Sequence, residues 1–96
     1  MTPFEKLFGK TAQLSVLEYL INNKGETTYL SGIAEGTGLS HSSVARVIEP
    51  LLENKMIIEK KLGKQIRTFT LDEENEITKL VMKFYYELNN KMGDSK

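Results

Sequence analysis

Apolar side chains recur at three- and four-residue intervals in several stretches of this chain, the pattern of helices with one buried face. Thr11 is placed to cap the first of them, in which Leu14, Leu17, Leu20 and Ile21 form the stripe and Gly25 supplies the stop. Thr27, Thr28 and Tyr29 leave room for a short extended piece, after which Leu30, Ile33 and Ala34 predict a brief helix ending near Gly36. Gly38 then marks a tight turn, because glycine reaches the positive φ at which one helix stops and another starts at a steep angle. Ser40 caps the clearest helix, with Val44, Val47, Ile48, Leu51 and Leu52 at i, i+3, i+4, i+7 and i+8. Pro50 interrupts it: the ring removes the N–H that would bond to the Arg46 carbonyl, so a kink or an early break is expected there.

The pattern changes between Met56 and Leu71, where β-branched and aromatic residues dominate and Gly63 with Lys64 breaks the run. This predicts a hairpin with a glycine-containing tip, Phe69 and Leu71 on one face alternating with Thr68 and Thr70. Asp72, Glu73, Glu74 and Glu76 open a last long helix over 75–92, their charge suited to the positive end of its dipole, and Ile77, Leu80, Val81, Phe84, Leu88 and Met92 form a broad stripe along it. The expected fold is mainly α with a small β-hairpin, organised as a single domain over 1–96.

Ninety-six residues with 40% hydrophobic and 27% charged side chains suffice for one core. A chain this short gains stability readily by pairing with a second copy. The absence of cysteine removes disulfides and thiolate metal sites, and no apolar run approaches the roughly 20 residues of a membrane-spanning helix. The segment from Met1 to Lys10 carries Glu5, Lys6 and Lys10, unlike a signal peptide, so the expected compartment is the cytoplasm. Net charge is zero, which argues against a polyanion partner held by bulk electrostatics, but the distribution is uneven. Lys55, Lys60, Lys61, Lys64 and Arg67 fall within thirteen residues beside one acid, Glu59, and the four acids from Asp72 to Glu76 follow at once.

The order of helix, short strand, helix, tight turn, helix and basic hairpin, with the turn Ile33-Ala34-Glu35-Gly36-Thr37-Gly38-Leu39-Ser40, resembles the winged helix-turn-helix family. The run from Phe8-Gly9-Lys10-Thr11 through that turn to Leu51-Leu52-Glu53-Asn54-Lys55-Met56-Ile57 is similar to small archaeal transcriptional regulators related to the MarR and ArsR groups. The resemblance spans about Lys10 to Leu71. It implies a winged helix-turn-helix core over 10–71, with a three-helix core and a two- to three-stranded wing; the helix over 75–92 that follows is read as a C-terminal dimerisation helix from its own apolar surface. It also implies a sequence-specific transcriptional regulator that binds double-stranded DNA.

A helix fits the major groove, so the face opposite the apolar stripe of the Ser40-capped helix is the candidate reading face. That face holds Ser42, Ala45, Arg46 and Glu49, with Ser40, His41 and Ser43 at the N-terminal end. Arg46 is the candidate base reader, since a guanidinium donates two bonds to guanine; the serines suit phosphate or sugar. Lys60, Lys61, Lys64 and Arg67 would follow the adjacent backbone or minor groove. Glu49 departs from expectation, because it would repel phosphate unless it meets cytosine or pairs with Arg46.

Blander readings stand beside these. His41 is the single histidine and lacks partner acids at ligand spacing, so a surface residue is favoured over a metal ligand. Asp72 to Glu76 read as helix capping rather than a cation site. Gly36-Thr37-Gly38 lacks the Gly-Lys-Ser/Thr ending of a phosphate loop, and no base accompanies the serines as a triad needs, so no enzyme and no cofactor is expected. Lysines on the wing also protect edge strands from pairing. Surplus apolar surface on the last helix, at Ile77, Val81, Phe84, Tyr85, Leu88 and Met92, with Phe4, Leu7 and Phe8, is expected to form a homodimer contact. No small-molecule effector is expected, and the alternative function is a winged-helix module that binds protein instead of DNA.

Overall fold

Hydroxyl side chains start most of the helices. In the computed structural model, which describes residues 2–92, Thr2 accepts from the Glu5 amide while Glu5 accepts from the Thr2 N–H, a reciprocal cap that opens α1 (Pro3–Phe8). Thr11 accepts from the Leu14 amide and opens α2 (Ala12–Asn22). A two-residue strand β1 (Thr28–Tyr29) leads into α3 (Leu30–Thr37), which Gly38 ends in the left-handed conformation at φ 77°. Ser40 accepts from the Ser43 amide and opens α4 (His41–Glu53). Strands β2 (Ile57–Leu62) and β3 (Ile66–Leu71) form the hairpin, and α5 (Glu76–Met92) closes the chain, its first turn held by the Asn75 side chain accepting from the Thr78 amide.

The sheet has the order β1-β3-β2, antiparallel throughout, with Thr28 opposite Phe69, Ile57 opposite Leu71 and Leu62 opposite Ile66. Period-two alternation sends Ile57, Phe69 and Leu71 into the core and Ile58, Lys60 and Leu62 to solvent. Phe69 is fully buried, among Val16, Leu20 and Ile21 of α2, Ile33 and Ala34 of α3, and Val44, Val47 and Ile48 of α4. The architecture is mainly helical with one small sheet, as the hydrophobic pattern predicts. Ile33, Ala34, Val44, Val47 and Ile48 of the expected stripes on α3 and α4 are buried, whereas on α2 Leu20 and Ile21 are buried with Val16, which the pattern omits, and Leu14 and Leu17 are half-covered.

Three details differ from expectation. The first helix, α1, lies in a segment to which the pattern assigns no element. Helix α4 does not break at Pro50 but continues to Glu53, because only one N–H is lost, the ring lies on the solvent side, and both the amide N–H and the side chain of Asn54 donate to the Pro50 carbonyl, at 3.0 and 2.8 Å. On α5 the buried face is Thr78 and Tyr85, with Val81, Met82 and Leu88 partly covered, whereas Ile77, Leu80 and Phe84 are exposed. The helix carries apolar residues on two faces, and the stripe read from the sequence merges them.

Candidate nucleic-acid interface

The solvent side of α4 is built by its own periodicity: with Val44, Val47 and Ile48 buried, Ser42, Arg46 and Glu49 are left exposed, while Ala45 is half-buried. At the N-terminal end the three serines bond to one another. The Ser40 hydroxyl lies 3.0 Å from that of Ser43 and 3.2 Å from that of Ser42, so these groups are pre-ordered around the first backbone N–H groups of the helix. His41 is exposed beside them.

One arginine bridges the wing and the solvent side of α4. Arg67 on β3 donates from Nε to Glu59 at 2.7 Å and from a terminal nitrogen to the second Glu59 oxygen at 3.2 Å; the same terminal nitrogen lies 3.5 Å from Glu49 on α4. Its guanidinium carbon sits 5.1 Å from the centre of the Phe69 ring. The Arg67 hydrogen bonds hold the Glu59 carboxyl below the usual carboxylate range, and Glu59 in turn raises the guanidinium pKa. Arg67, a candidate for the DNA backbone or minor groove, is bonded here to Glu59 and lies beside Glu49, so Glu49 meets an arginine of the wing. Lys60, Lys61 and Lys64 remain exposed on the wing.

The expected dimer residues divide into two sets. Phe4 and Tyr85 are buried within the chain, their rings 5.0 Å apart and edge to face, so they belong to the core of one protomer. Val81 and Leu88 are partly covered by the same core. Leu7, Phe8, Ile77, Phe84 and Met92 are exposed, joined by Leu80 at 69%, and the Phe8 and Phe84 rings lie 6.3 Å apart. The short helix α1 and the long helix α5 therefore share an uncovered apolar surface.

Sequence reasoning missed Glu18. It is buried on α2, accepts from the Thr2 hydroxyl at 3.1 Å, and has a second carboxylate oxygen with no hydrogen-bond partner. Burial pushes its pKa up. Its signal in the sequence is slight, a lone acid between Leu17 and Leu20. Among the described residues no group of His, Cys, Asp or Glu side chains is gathered closely enough to hold a metal ion.

No protein-family model matches the chain, and no curated protein matches it. Solved structures do. MepR of Staphylococcus aureus in complex with DNA superposes with a TM-score of 0.67 at 18% identity, covering 94% of this chain and 72% of that one. NMB1585, a MarR family regulator from Neisseria meningitidis, gives 0.62 at 20% identity over 95% and 70%. BpsR of Bordetella bronchiseptica, whose DNA binding is regulated by 6-hydroxynicotinic acid, gives 0.60 at 20% identity over 85% and 58%. The fold is a winged helix-turn-helix. In this frame α3 and α4 are the helix-turn-helix, β2 and β3 the wing, and α1 and α5 the flanking elements; the chain spans 58 to 72% of the length of these three neighbours.

Proposed function

We propose that this chain is a sequence-specific double-stranded DNA-binding transcriptional regulator that acts as a homodimer. The observation that carries the reading is the 3.5 Å contact between Arg67 and Glu49, which joins the solvent stripe of α4 to the wing. Arg46, one turn before Glu49, and the wing lysines thereby border one surface. Helix α4 enters the major groove with Arg46 toward base edges, Ser40, His41, Ser42 and Ser43 toward phosphate, and Lys60, Lys61 and Lys64 along the flanking backbone or minor groove. The shared fold supports this, since MepR has been solved on DNA.

Homodimerisation is supported by the exposed set Leu7, Phe8, Ile77, Leu80 and Phe84, too much apolar surface in one place to leave to water. Pairing through it would set two α4 helices one DNA turn apart, about 34 to 36 Å, and favour a palindromic site. Among the described residues no helix is long and apolar enough to cross a membrane, and the cytoplasm remains the proposed compartment. A protein-binding role is the second reading, favoured by the neutralisation of Arg67 by Glu49 and Glu59. Gel shift with a random duplex pool at low salt, followed by site selection, tests the first. Failure to shift any duplex, with a stable protein partner co-purifying independently of the wing lysines, would establish the second.

A further inference from the structure

Leu62 and Ile66 face each other across the last rung of the wing, on either side of the Gly63-Lys64-Gln65 tip, and both are about half exposed, at 49 and 51%. Gly63 turns the chain there with φ 66°. Ile58, 45% exposed, continues the same face, with Lys60 between it and Leu62. A hairpin protected only against edge pairing carries charge at its tip, as Lys64 does here; it has no use for two branched aliphatics beside that charge. The pair also lines a cleft of about 520 Å³ that runs from the wing to Tyr29, Leu30 and His41, at the starts of α3 and α4.

We infer that Leu62 and Ile66 form an apolar wedge that enters the minor groove beside the site held by α4, spreads a base step and bends the DNA. The inference rests on the DNA-binding reading above and adds to it a means of recognition that makes no hydrogen bonds to bases. Aliphatic side chains pressed into a minor groove part the stacked pairs, and the deformation is easiest at flexible pyrimidine–purine steps. The surroundings match: Lys60 on the same face and Lys64 at the tip set positive charge beside the wedge for the phosphates, and the cleft toward His41 leaves room for one strand to pass between wing and helix. Of the two arginines, Arg46 lies on α4 and the one on the wing is bonded to Glu59 and paired with Glu49, so the wing has no free arginine to probe the minor groove by charge. That same bonding braces the wing against α4, which a wedge requires.

The test uses the whole chain and a duplex recovered by site selection, with fluorophores at the two DNA ends reporting distance by energy transfer. Wild-type protein should bend the duplex by about 20 to 90° and compete with netropsin, which fills the minor groove. Selected sequences should carry a TA or CA step at the wing position. A Leu62→Thr, Ile66→Thr double variant keeps the strand preference of β-branched residues while removing most of the apolar surface. It should bind about tenfold more weakly and leave the duplex straight. Lys64→Ala should retain the bend and lose about one unit of salt slope. A straight duplex under wild-type protein, or an undiminished bend with the double variant, overturns the wedge and leaves DNA binding standing. Absence of binding to any duplex overturns both.

Discussion

Tyr19 on α2 lies so closely over Gly36 on α3 that a Cβ at position 36 would fall 2.8 Å from the Tyr19 Cδ2 and nearer still to Cε2. The glycine is there for approach rather than for a turn, since α3 runs past it to Thr37. Gly36→Ala should lower stability by about 1 to 3 kcal/mol, the usual cost of overpacking, despite alanine's better helix propensity. Thermal unfolding of Gly36→Ala, Tyr19→Ala and the double variant would show the cause: the alanine at 36 should do far less harm once the ring is gone.

Exposed apolar surface on α5 predicts a concentration-dependent assembly. Leu80 is 69% exposed and makes little of the protomer's own core, so Leu80→Glu should leave the helical content intact. Sedimentation should then show a monomer where the wild type shows a dimer. A wild-type monomer at high concentration would remove the dimer from the proposal.

Base reading and phosphate holding should separate by mutation. Arg46→Ala should relax preference at one base pair by about 1 to 3 kcal/mol, while Lys61→Ala should weaken all duplexes alike. Titrations at several salt concentrations, on selected and scrambled duplexes, distinguish the two.

Two carboxylates should give opposite pH signatures. Burial raises the folded-state pKa of Glu18 above its ordinary 4.5, so its contribution to stability is fully present below that value and is lost as pH rises through the folded pKa. Glu18→Gln keeps an acceptor for Thr2 and removes the buried charge. At neutral pH it should unfold later than wild type, by about 4 to 8 °C if the gain is near 1 kcal/mol, and the advantage should vanish in acid.

Glu59 is the reverse case, its pKa lowered by Arg67. Its contribution holds above 4.5 and is lost as pH falls through the depressed folded value. Because the pair is partly solvated, Glu59→Gln should cost under about 1 kcal/mol at neutral pH, and denaturant unfolding should find no difference in strong acid.

The helix-turn-helix and wing were legible because each carries a local signal: a hydroxyl cap, a spacing of three and four, or a change to period two. Helix α1 carried one as well, the Thr2-Pro3-Phe4-Glu5 cap, but six residues are too few to show periodicity. What the pattern does not carry is which of two apolar faces turns inward. Phe84 and Tyr85 are adjacent and Phe4 lies near both rings, yet Tyr85 joins the core, where its hydroxyl reaches Asn22 of α2, while Phe84 stays exposed. The fate of Arg67 is hidden for the same reason, since Glu49 and Glu59 reach it from two different elements.

The contact between Phe4 and Tyr85 joins residues near opposite ends of the chain. Closing so long a loop costs more entropy than forming the hairpin or the helical turn between them, so those parts can assemble before the ends meet. Leu7, Phe8 and Phe84 come together only after that closure. The proposed self-association would thus be tied to the final folding event, and a partly folded chain would lack the surface through which a second copy could join it.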